Sequence, residues 1–135
     1  MKLECQVNTL EQGKELAQLL PESVLLPESV CKESHFMWLK KGGEKSFELR
    51  KRFSLTPKWS RNVPAFTSAE LGVLLPAEIT VDDKMELFWL SKEDGEFWCG
   101  YEIEYLSNEH EAQAKADILI DGLKKGYIKP EDLKL

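Results

Sequence analysis

Residues 1 to 7 alternate, with Met1, Leu3, Cys5 and Val7 on one side and Lys2, Glu4 and Gln6 on the other. A period of two is that of a strand with one buried face, so the pattern predicts an opening β-strand. From Leu10 the period lengthens. Leu10, Leu16, Ala17 and Leu20 share one face of a helix, and Asn8 or Thr9 stands at its cap, with Glu11 and Gln12 three residues on as in a capping box. Pro21 ends that helix. LLPESV then occurs twice in succession, Leu19 to Val24 and Leu25 to Val30, with an echo at Leu74 to Ile79. A six-residue period is too short for a solenoid, and the duplication carries no repeat architecture.

His35 to Leu39 and Glu44 to Leu49 are rich in apolar and aromatic residues and flank Lys40-Lys41-Gly42-Gly43, which reads as a hairpin. Phe53 to Pro64 has no period and reads as an irregular connector. Thr67 and Glu70 form the clearest capping box, Phe66 and Leu71 stand at the staple positions, and a short helix is predicted from Ser68 to before Pro76. A second hairpin joins Met85–Leu90 to Phe97–Tyr105 around Glu93-Asp94-Gly95, with Phe97, Cys99, Tyr101, Ile103 and Tyr105 all facing the core. Asn108 with Glu111 caps the longest helix, whose stripe is Ala112, Ala116, Leu119, Ile120 and Leu123, and Gly126 after Lys124-Lys125 stops it. The order β-α-ββ-α-ββ-α predicts an α+β fold: an antiparallel sheet built from the N-terminal strand and two hairpins, with about three helices packed against it.

Composition bounds this picture without changing it. At 135 residues and 42% hydrophobic content the chain can bury one core, and a single domain spanning residues 1–135 is expected. The N-terminus has no apolar run, so neither a signal peptide nor a membrane anchor is expected, and a cytoplasmic location follows. Three widely spaced cysteines, Cys5, Cys31 and Cys99, read as free thiols in a reducing compartment.

Candidate chemistry is sparse. Cys31 and His35 stand four apart, yet only the distant Cys5, Cys99 and His110 could complete a zinc site, so no metal and no cofactor are expected. His110 lies between Glu109 and Glu111 at a helix start, where carboxylates are favoured without any catalytic role. The pairs Asp82-Asp83, Glu93-Asp94 and Glu102 with Glu104 read as surface carboxylates. No phosphate-binding glycine motif and no nucleophile elbow occurs, so catalysis is left without a residue to perform it. Four tryptophans, Trp38, Trp59, Trp89 and Trp98, are a large load for this length; they suit a binding surface as well as a core, and at least two are expected in the core because each hairpin strand needs bulky inward residues.

Charge is unevenly spread. Between residues 38 and 62 eight cations face two carboxylates, a local charge of +6 in a protein of net charge −6, which leaves −12 on the remainder. Aromatic residues interleave with these cations, which makes Trp38, Lys40, Lys41, Arg50, Lys51, Arg52, Lys58, Trp59 and Arg61 a candidate partner surface with the residue types of a nucleic-acid site. The competing reading is a charged outer strand face set against the acidic C-terminal half, with Arg50, Lys51 and Arg52 beside Glu102 and Glu104. Because the whole-protein charge repels polyanions at long range, a protein partner is preferred over nucleic acid, and no membrane is expected.

Taken in order, LLPESV before SHFMWLKKGG, then VPAFTSAELGVLLPAEI, a tryptophan-rich hairpin and a terminal EAQAKADILIDGLKKGYI resemble a group of small uncharacterised proteins from bacterial phage and mobile-element gene neighbourhoods. The resemblance implies a small cytoplasmic accessory protein of phage-like origin and carries over no catalytic or binding residue. The expected function is therefore protein–protein contact without catalysis, with nucleic-acid binding through segment 38–62 as the alternative.

Overall fold

The structure is a computed structural model that describes residues 2–21, 36–40, 47–51 and 62–133. A short 3-10 turn at Leu3–Cys5 precedes helix α1 (Leu10–Leu19), and strands β1 (Phe36–Lys40), β2 (Phe47–Lys51) and β3 (Asn62–Ala65) follow. Helix α2 (Ser68–Leu74) leads into five strands, β4 (Glu78–Val81), β5 (Lys84–Leu87), β6 (Trp89–Glu93), β7 (Glu96–Gly100) and β8 (Tyr105–Asn108). Helix α3 (Glu111–Lys125) and a 3-10 turn at Pro130–Asp132 complete the order. Among the described residues all pairing is antiparallel, and the fold is α+β.

Among the described residues the strands form three small sheets, ordered β2-β1-β3, β4-β5 and β6-β7-β8, where the sequence predicts one. The division falls at Phe88. The expected strand Met85–Leu90 is cut there: β5 pairs back onto β4, and β6 pairs forward onto β7. Both turns need positive φ at their central residues, supplied by Asp82 and Asp83 at 50° and 63° and by Asp94 and Gly95 at 51° and 80°. Aspartate tolerates that region better than most residues, which lets a turn without glycine close β4 on β5. The carboxylates of Asp82 and Asp83 are thus turn residues.

The opening strand is also replaced. Leu3–Cys5 coils into a 3-10 turn closed by Cys5 N–H to Lys2 O and Gln6 N–H to Leu3 O, and only Val7 makes a bridge, to Thr67. Among the described residues no strand lies alongside for this alternation to pair with. What holds this segment is Asn8, fully buried, whose N–H donates to Phe66 O while its Oδ1 accepts from Phe66 N–H at 2.7 Å. Asn8 Nδ2 donates to Pro64 O at 3.1 Å and to Thr9 O at 2.9 Å.

Thr9 is the α1 cap, with its hydroxyl accepting from Gln12 N–H and Gln12 returning the bond to Thr9 N–H. The same reciprocal box forms at Thr67 and Glu70, as the sequence predicts. The α3 start differs from expectation: His110 is the cap residue without a side-chain cap bond, and Asn108 Oδ1 accepts from His110 N–H. Gly126 ends α3 at φ 87°. Leu16, Phe66, Leu71, Leu74, Ile79, Cys99, Tyr101, Ile118 and Leu119 form one buried cluster, with Phe88, Phe97 and Leu106 packed on it. Tyr101 donates its hydroxyl to Pro76 O at 2.6 Å, tying β7 to the α2–β4 link. The expected core face of Phe97 to Tyr105 stops at Tyr101, because residues 101 to 104 turn and leave Ile103 and Tyr105 exposed.

Two substitutions test this frame. Gly13→Ala in α1 would gain up to about 1 kcal/mol from helix propensity alone. An added Cβ, however, would stand 2.5 Å from Pro64 O and from Val63 Cγ1, so β3 has to move, and overpacking of this kind costs about 1–3 kcal/mol. The expected outcome is a lower denaturation midpoint. Asn8→Ala leaves Phe66 N–H buried without its acceptor and should cost about 1–3 kcal/mol in chemical denaturation.

Candidate functional site

The sequence-predicted surface is only partly described. Trp38 sits in β1 between Leu49 of β2 and Val63 of β3, half-buried, and its Nε1 donates to Asn8 O at 3.3 Å. This indole is thus tied into the frame. Backbone pairing places Lys40 opposite Phe47, Arg50 opposite Met37 and Lys51 opposite Phe36, but their side chains lie outside the described set. Lys41, Arg52, Lys58, Trp59 and Arg61 lie outside the described residues, as do Cys31 and His35. Glu102 and Glu104 do pair with lysines, Lys84 meeting Glu102 at 3.0 Å and Lys125 meeting Glu104, while the expected contact with Arg50, Lys51 and Arg52 rests on side chains outside the described set. Pairing with these carboxylates raises the pKa of both lysines.

A different surface is fully described. In β6–β8, side chains alternate between two faces, and the face carrying Phe97, Cys99 and Leu106 turns to the core and α3. The opposite face carries Trp89, Ser91 and Glu93 from β6, Glu96 and Trp98 from β7, and Tyr105 and Ser107 from β8. Tyr105, 54% exposed, joins the two indoles: its ring centroid lies 5.5 Å from that of Trp89 and 6.2 Å from that of Trp98, each pair tilted by about 50°. Gly100 makes this possible. It separates Trp89 from Tyr105 in the register, and with φ at 151° and no side chain it lets β8 approach so closely that a Cβ would collide with Glu104 O and Tyr105 Cα.

The alternation reaches back along the chain. In β5 the usual arrangement is inverted: Glu86, only 7% exposed, accepts from Ile103 N–H at 2.6 Å, while Met85 and Leu87 are 59% and 61% exposed. Exposed apolar positions at Met85 and Leu87 thus precede Trp89 at every second residue.

A polar cluster lies elsewhere, between α2 and α3. The Ser68 hydroxyl donates to Glu111 and accepts from the buried Lys115 at 2.9 Å, and Lys115 Nζ also reaches Ser68 O at 3.1 Å and Glu111 at 3.4 Å. It borders a cavity of about 430 Å³ lined by Cys5, Thr67, Ser68, Phe97 and Glu111. Serine beside lysine is a nucleophile–base pairing only when the amine has a lone pair to offer. Here the amine directs three N–H groups at three acceptors, so the cluster is a clasp between helices. The Ser68 hydroxyl and the Lys115 ammonium hold the Glu111 carboxyl below the usual carboxylate range. In the sequence Glu111 reads as part of a cap, and Lys115, a lysine beside an apolar stripe, gives no signal until its partner helix is placed.

A second cavity, of about 660 Å³, lies between the end of α2, β4 and Tyr127–Lys129. Its walls mix aliphatic side chains, among them Val73, Leu75, Ile79 and Ile128, with the polar Glu78, Thr80, Lys129 and Asp132. Burial pushes the Cys99 thiol up to about 12, which leaves it unreactive near neutral pH. Among the described residues no group of three or more His, Cys, Asp or Glu could hold a metal, and no helix is long and apolar enough to cross a membrane. No protein-family model, curated protein or solved structure matches the chain.

The clasp sets an acid dependence. A carboxyl whose folded pKa is depressed contributes stability that is complete above its unfolded value of about 4.3 and is lost as pH falls through the folded one. Glu111→Gln should therefore lower stability at pH 7 and flatten its decline below about pH 4 relative to the parent protein. Thermal unfolding followed at several pH values between 2 and 7 provides the check, and parallel curves for the two proteins would show that Glu111 is uncoupled from folding.

Proposed function

We propose that the protein is a non-catalytic interaction module that docks a protein partner on the outer face of β6–β8, centred on Trp89, Trp98 and Tyr105. One observation carries this reading: three aromatic side chains in ring contact lie on the sheet face that the core does not use. Tryptophan and tyrosine are the residue types that dominate binding energy at protein interfaces, because each removes much apolar surface from water while keeping a polar tip. Ser91 and Ser107, flanking Trp98 in the register, add short hydroxyls able to bond a partner's backbone.

Together with the resemblance of the ordered motifs, this describes a small cytoplasmic accessory protein of phage or mobile-element type. Nucleic-acid binding through segment 38–62 is the competing reading. Its eight cations and interleaved aromatic residues supply the residue types that such a surface needs.

Trp98→Ala with Tyr105→Ser should leave circular dichroism unchanged and weaken partner association by about 2 kcal/mol or more, roughly thirtyfold. Quantitative co-purification of tagged parent and variant from the native host measures this. An identical set of captured proteins at identical yields would sink the reading. Titration of labelled single- and double-stranded oligonucleotides at two salt concentrations should give no binding tighter than about 10⁻⁶ M, and submicromolar, steeply salt-dependent binding would shift the function to segment 38–62.

A further inference from the structure

We infer that the segment docking on the aromatic face is cationic: an extended, arginine-bearing stretch of a partner protein. The inference rests on the docking reading above and adds the chemistry of the occupant. Along this face the side chains fall into three rows. Trp89 and Tyr105 flank Gly100, Ser91 and Ser107 flank Trp98, and Glu93 stands directly opposite Glu96. The first and last rows are four residues apart, about 13 Å at the strand rise, which is the span of about four residues of an extended peptide.

Glu93 and Glu96 are the unusual pair. Directly opposed residues of an antiparallel pair hold their Cβ atoms about 5 Å apart, where like charges repel and weaken the hairpin. Both side chains are exposed, and among the described residues no cation pairs with either. The neighbouring Lys92 belongs to the other face, where its Nζ lies 5.1 Å from the Phe97 ring centroid. Residues 89 to 109 carry six carboxylates and one lysine, and the two carboxylates that find lysines, Glu102 and Glu104, lie in the 101–104 turn away from this row.

An aromatic floor ending in two uncompensated carboxylates matches a guanidinium better than any other protein group. Its planar face stacks on indole and phenol rings, and its fork of N–H donors takes a carboxylate in two parallel bonds. A cation bridging Glu93 and Glu96 would also remove their mutual repulsion, so that binding stabilises the hairpin it rests on. The same charges turn polyanions away from this face.

The test uses the full chain and three peptides: hexa-arginine, hexa-glutamate, and an uncharged peptide of alternating leucine and serine. Binding is read by calorimetry and tryptophan fluorescence at two salt concentrations. Hexa-arginine alone should bind, and both Glu93→Gln with Glu96→Gln and Tyr105→Ser should weaken it about tenfold. Asp82→Asn with Asp83→Asn makes the same change in net charge at the β4–β5 turn and should leave the affinity within about twofold of the parent. The Glu93→Gln, Glu96→Gln protein should melt no lower than the parent, which keeps misfolding from imitating lost binding.

Equal losses in the two charge variants would overturn the inference, as would no binding of hexa-arginine. Tighter binding of either other peptide, lost in Tyr105→Ser, would overturn the cationic occupant and leave the docking face standing. A peptide-independent dimer in sedimentation, abolished by Glu93→Gln with Glu96→Gln, would put the chain's own basic segment on the face and overturn the partner-protein assignment. Failure of hexa-arginine together with unchanged co-purification of the aromatic variant would remove the docking reading as well.

Discussion

Everything described here is hung on the side chain of Asn8. A fully buried amide must satisfy both its ends or forfeit the free energy of leaving water, and Asn8 does so by bonding the backbone on either side of Ala65. The same residue receives the Trp38 indole on its carbonyl. One residue therefore fixes where the N-terminal segment lies, where β3 ends and how the Thr67 cap is approached. Geometry at α2 passes to α3 through Ser68, Lys115 and Glu111, and α3 in turn supports the inner face of β7 and β8. The aromatic face is the outer side of that supported sheet.

Local chemistry was legible in the sequence wherever it depended on neighbours in the chain. The Thr67–Glu70 box, the α1 cap near Thr9, the apolar stripe of α3 and its Gly126 stop all act within a few residues. Long-range choices were not. The alternation of residues 1 to 7 is that of a strand, yet among the described residues only Val7 makes a bridge, and Asn8, a candidate cap by position, has an amide that reaches 56 residues along the chain. Asp82-Asp83 carries no glycine, so the β4–β5 turn was hidden and the single sheet of the sequence reading became three. The alternation from Phe97 to Tyr105 was genuine for Phe97, Cys99 and Tyr101, but Gly100 lets the chain fold back after them.

Trp89, Trp98 and Tyr105 were each visible as residues, but their assembly was not. Rings from three strands meet only once the register is known, and register is set by turn geometry that the sequence showed at Asp94-Gly95 and concealed at the 101–104 return. The basic segment drew attention because charge is countable without a structure. The acidic row beside the aromatics is countable too, but in the sequence Glu93 stands with Asp94 at a turn and Glu96 has no partner of its own, and only strand pairing sets the two against each other.

Gly100 has a consequence for how this protein can change. A glycine at φ 151° gives up more backbone freedom on folding than any other residue, and restoring a side chain there is the ordinary way to limit that loss. The route is closed, because the space a Cβ would occupy already holds the backbone of β8. The entropic toll of position 100 is thus inseparable from the meeting of Trp89 and Tyr105 above it. Any more stable descendant that keeps β8 in this place has to find its gain elsewhere in the chain.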